Sequence, residues 1–157
     1  MVDHRKQPSK RHRQDASSNN AFTPHEIASD TSWVDLPEME QPPGSADAYV
    51  QAYLADPDTY WWSTNDYSSS EADVVLKRVL AIIVQARLPD HKQALGQLGV
   101  GPLEDMMSDA LLDLLGPWMP FTAAMCYALG SVRMEFEPPA LQRRLATMIL
   151  HSQGKDR

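Results

Sequence analysis

The stretch "VVLKRVLAIIVQA" at Val74–Ala86 constrains this chain more than any other. Val75, Leu76, Val79, Leu80, Ile82, Ile83 and Ala86 recur at helical spacing and cover most of a helix surface, leaving only Lys77, Arg78, Ala81 and Gln85 as a polar strip. A helix that is apolar nearly all round has to be enclosed by the rest of the chain. No run in the 157 residues reaches the length of a membrane span.

The neighbouring segments carry the same period. Ser45 is expected to cap a helix with Tyr49, Val50, Tyr53 and Leu54 on one face, ended by Asp56-Pro57 because the residue before proline is pushed out of the helical region. "SSSE" at Ser68–Glu71 is a capping box for the central helix, which Leu88-Pro89 stops. Asp90 with Gln93 is expected to cap a short helix to Leu98, and Gly101-Pro102 to open another that continues through Leu103, Met106, Met107, Leu111 and Leu115 to Gly116. Pro120 and Pro138-Pro139 open two further helices, the last fading at Gly154. No segment alternates cleanly enough to be a strand. The fold class is therefore all-α, with five or six helices packed as antiparallel hairpins.

Charge divides the chain. Arg5, Lys6, Lys10, Arg11 and Arg13 open it; from Gln14 to Leu76 there is no Lys or Arg, while twelve Asp and Glu occur; the net charge is −7. The polar, aperiodic beginning is expected to be a disordered leader and linker over 1–44, followed by one helical domain over 45–152 and a disordered tail at 153–157. Phe22, Ile27, Trp33, Val34 and Leu36 are the leader residues able to dock on the domain, "TPHE" at Thr23–Glu26 is a small capping box, and Met39 is an alternative start. No apolar stretch follows the basic beginning, so no secretory signal is expected. A single cysteine, Cys126, excludes a disulfide framework. A cytoplasmic protein that does not engage membranes is the expectation.

"GVGPLEDMM" at Gly99–Met107 raises the question of a ligand-cradling loop. A phosphate loop would end in Lys-Ser or Lys-Thr, and a dinucleotide fingerprint would follow a strand; neither is present. Each residue has a structural task instead: Gly99 as a left-handed helix end, Gly101 as an N-cap, Pro102 at the first helical position, Glu104 and Asp105 at the positive end of the helix dipole. The stretch resembles the hallmark of an uncharacterised bacterial family of small helical proteins, G-x-G-P-L-E-D followed by two large aliphatics. The likeness takes in Trp61, Trp62, the central helix and "PFTAAMCYALGSV" at Pro120–Val132. It implies a helical fold and no established activity. Where members carry a His just after the signature, this chain has Ser108-Asp109-Ala110.

Asp105, Asp109 and Asp113 stand at i, i+4, i+8 beside Glu104, an acidic ridge opposite the leucines. It reads as a solvated face, as a docking surface for a basic protein partner, or as a weak cation site lacking the His or Cys partners that confer specificity. Trp61 and Trp62 are expected to plug the gap between the first two helices. The basic segment at 4–13 supports at most weak contact with nucleic acid. The five histidines are scattered and no pair of carboxylates has the spacing of an acid and a base, so no enzyme, cofactor or metal is expected. The leading reading is a protein-interaction module with an acidic docking face at Glu104, Asp105, Asp109 and Asp113. The alternative is a metal-dependent or small-ligand hydrolase using Glu104, Asp105 and Asp109.

Overall fold

The computed structural model describes residues 22–29, 33, 45–65 and 72–155. Among them the chain is all-α, without a strand. The helices are α1 (Pro24–Ser29), α2 (Ala46–Ala55), α3 (Pro57–Tyr60), α4 (Trp62–Asn65), α5 (Ala72–Gln85), α6 (Lys92–Leu98), α7 (Glu104–Met106), α8 (Asp109–Leu115), α9 (Ala123–Gly130) and α10 (Pro139–Lys155). A π-helical turn, Gly99–Leu103, joins α6 to α7, and a 3₁₀ turn, Gly116–Trp118, follows α8.

Helix α5 is central, packed against α1, α2, α4, α9 and the π-turn. Val79, Leu80 and Ile82 have no exposed surface. The expected polar strip is corrected. Arg78 and Ala81 are buried, and Val84 is exposed instead. Arg78 has a reason to be inside: its Nε donates to the Trp33 carbonyl and its Nη1 to the Ser63 carbonyl, each at 2.9 Å. A buried guanidinium is tolerated where backbone oxygens take its protons.

Local chemistry sets most helix starts. Hydroxyl oxygens of Thr23, Ser45, Ser108 and Thr122 each accept from the backbone N–H three residues on. Asp90 is not the cap of α6. His91 stands there, and its Nδ1 accepts from the Arg87 N–H at 2.8 Å.

The boundary of the domain is also corrected. Phe22, Ile27 and Trp33 belong to the core, so part of the expected leader is folded structure. Trp118 Nε1 donates to the Phe22 carbonyl at 2.6 Å. Trp33 is 1% exposed and meets Tyr49 edge-on at 5.9 Å, with Tyr53 beside Tyr49; of the two tryptophans expected to close the core, Trp62 is partly buried against it and Trp61 is exposed. The tyrosine hydroxyls reach Ser63 and Thr64, both buried. Burial holds both phenols above their usual pKa; for Tyr53 the charge of Asp58 adds to this. At the other end, α10 continues through Gly154 to Lys155, where an unstructured tail was expected. The basic segment at 4–13, Val34, Leu36, Met39, the linker at 42–44 and the Ser68–Glu71 capping box lie outside the described residues.

Candidate functional site

The signature is not a loop. Helix α6 runs through the π-turn into α7 without leaving helical geometry: Gly99 has φ −69° and ψ −49°, and Glu104 donates its N–H to the carbonyls of Gly101 and Gly99. Proline explains the widened turn. Pro102 has no N–H and its ring would collide with the carbonyl four residues back in a regular α-helix. A π-type turn takes up that defect inside a helix. Gly101 and Pro102 therefore sit within the turn, not at the N-cap and first helical position expected of them.

Gly99 is not the left-handed helix end expected from sequence. A Cβ there would lie 2.3 Å from the Ala128 carbonyl oxygen and 2.6 Å from Ser131 Cβ. The glycine lets α9 press against the backbone of the joint.

The acidic ridge is broken and largely engaged. Ser108 has an extended backbone (φ −169°, ψ 169°) and caps α8, so Asp105 lies on a different helix from Asp109 and Asp113. Glu104 is bound to Arg133, in the connection after α9. Asp109 and Asp113, 73% and 70% exposed, both bind Arg144 of α10, Nη1 at 2.8 Å and Nη2 at 2.5 Å. The repulsion expected of the i, i+4 pair is thus bridged by a cation. Glu104 and Asp109 hold different arginines, which does not assemble the shared carboxylate site a hydrolase would need. Among the described residues no group of three His, Cys, Asp or Glu is placed to hold a metal ion.

A second constellation joins the signature to the tryptophans. Trp61 is 53% exposed and Trp62 is half-buried against the core. Trp61 lines a cavity of about 280 Å³ together with Asp58, Thr64, Gln97, Val100 and Gly101, and Tyr53 forms part of its wall. Gln93 and Gln97, one turn apart on α6, donate their Nε2 to Asp58 Oδ1 at 3.3 and 2.9 Å. A carboxylate only accepts, which fixes the Gln97 amide with its nitrogen on Asp58. Its Oε1 is then buried with no hydrogen-bond partner among the described residues, an arrangement that costs about 1–3 kcal/mol. Val100 beside it is 44% exposed.

Sequence reasoning named Trp61 and Gly101 as structural and missed Asp58, Gln97 and Val100. The i, i+4 spacing of Gln93 and Gln97 was the available signal. Nothing local to Arg133 or Arg144 marks them as partners of acids about thirty residues away. Compared with models of known protein families, with curated proteins and with solved structures, the chain matches none.

Proposed function

We propose that this protein is a non-enzymatic interaction module that docks a basic protein partner on the face formed by α3, the α3–α4 junction and the π-turn. One observation carries the reading. Trp61 and Val100, both strongly exposed, line a single cavity with the acid Asp58. An exposed tryptophan beside an aliphatic group is the composition of an interface anchor, while most isolated surface apolar residues need no explanation.

The acidic docking face read from sequence at Glu104, Asp105, Asp109 and Asp113 contributes less in this proposal, because Arg133 and Arg144 already take up three of its carboxylates. The net charge of −7 still favours approach of a cationic partner. In this reading the protein works in a bacterial cytoplasm and belongs with the small helical proteins sharing the Gly99–Met107 signature. No helix among the described residues is long and apolar enough to cross a membrane.

The test is capture of partners by the full chain from its native cell, beside a Trp61→Ser/Val100→Ser chain that keeps its melting temperature. A basic protein held by the wild type, released by salt and lost from the double variant is the expected result. Equal recovery by both chains, or no basic protein at all, overturns the proposal.

A further inference from the structure

We propose that the Asp58–Trp61–Gln97 cavity receives one arginine side chain of that partner. The inference rests on the interaction reading and gives it a chemistry.

Size is the first argument. At about 280 Å³ the cavity falls just below the roughly 300–1,000 Å³ of ordinary small-molecule pockets. It suits a single side chain entering from a partner's surface. Charge is the second. Among the described residues no Lys, Arg or His lines it, and its one carboxylate is Asp58. Both Gln amides approach Asp58 through Oδ1, and Oδ2 accepts nothing among the described residues. The wall thus presents one carboxylate oxygen without a partner among them, beside the exposed indole of Trp61. The occupant must therefore bring donors.

Shape is the third argument, and it selects arginine. The guanidinium is planar, carries five N–H donors and is weakly hydrated. It can lie on an indole face while its edge donates to a carboxylate. Trp61 supplies the exposed face, and Val100 covers the aliphatic stem. A lysine ammonium meets the charge requirement but is compact and strongly hydrated, and it has no plane to lay on the indole.

The experiment titrates the isotope-labelled full chain with a short neutral peptide containing one arginine, and with its citrulline and lysine counterparts, following the Trp61 indole N–H by NMR. The arginine peptide should shift the Trp61, Val100 and Gly101 signals saturably. Citrulline, equal in shape but uncharged, should not, and lysine should bind more weakly. Asp58→Asn should weaken the arginine peptide by at least about tenfold, or 1.4 kcal/mol, at an unchanged melting temperature. Equal shifts with citrulline, no shifts at all, or full affinity in a folded Asp58→Asn chain would overturn the inference. If the Trp61 signal moves on removing residues 1–13 with no peptide added, the chain's own basic segment occupies the cavity and the partner assignment fails. A natural basic partner that binds Asp58→Asn as tightly as wild type removes the arginine seat and leaves the interaction module standing.

Discussion

The backbone N–H and the Nε of Arg133 donate to the same oxygen of Glu104, each at 2.9 Å, and Nη2 reaches the other oxygen at 2.7 Å. These hydrogen bonds, those from the side chain first, hold the Glu104 carboxyl below the usual carboxylate range. A group whose pKa is lowered by folding stabilises the fold above its unfolded value, near 4.3 for Glu, and loses that contribution as pH falls through the lowered value. Glu104→Gln should be less stable than wild type at neutral pH, and the gap should close below about pH 4. Denaturant unfolding across that range checks it. A gap that does not change with pH would show that the charge is irrelevant.

Two glycines on one rod should respond oppositely to alanine. At Gly99 the new methyl collides with the α9 backbone, and a cost of about 1–3 kcal/mol is expected. At Gly96 a Cβ meets nothing within 4 Å, and alanine should stabilise by about 0.4–1 kcal/mol through helix propensity and a less flexible unfolded chain. Thermal unfolding of the two variants gives the comparison. A neutral Gly99→Ala would mean that α9 is not held where it is described.

The Arg144 fork is testable by a mutant cycle. Asp109→Asn/Asp113→Asn in the wild type should leave stability unchanged or slightly lower, since it removes both ion pairs. In an Arg144→Gln background the same pair should cost less than in the wild type, because no ion pair is lost and relief of like-charge repulsion offsets the favourable place of Asp109 in the first turn of α8. An equal change in both backgrounds would show that Arg144 does not bridge the acids.

Trp33 ties the beginning of the chain to the core. Trp33→Ala should cost about 3–5 kcal/mol, and a chain beginning at Ser45 should melt well below the full chain. Trp33→Phe should recover most of the loss, because the buried indole Nε1 has no acceptor among the described residues and gives up no hydrogen bond to them. If the shortened chain melts like the full one, the packing of Phe22, Ile27 and Trp33 contributes nothing.

The helices were legible because their signals are local. Apolar period, Pro at helix starts and Ser or Thr caps located α2, α5, α9 and α10 within a few residues. The Ser108 cap was as local as the others, but the apolar period from Leu103 to Leu115 concealed it, and with it the break that separates Asp105 from Asp109. Burial of Trp33 was not legible, because a polar neighbourhood carries no trace of the surface it covers. Nor was the partner of a carboxylate. Four acids close in sequence resemble a negative patch until distant arginines are brought to three of them by packing. The candidate cavity was hidden for the same reason: Asp58, Trp61 and Gln97 come from segments about forty residues apart.

The π-turn also sets rotational phase. Each residue of an α-helix advances about 100° around the axis, and accommodating one extra residue turns everything beyond it by that amount relative to everything before. Gln97 ahead of the turn reaches Asp58, while Glu104 beyond it reaches Arg133, and both alignments depend on the length of Gly99–Leu103. Deleting one residue here would therefore not shorten a linker. It would rotate α7 out of register with α6, breaking whichever contact lay on the side forced to turn, so variation in this segment is restricted in length even where side-chain identity is free.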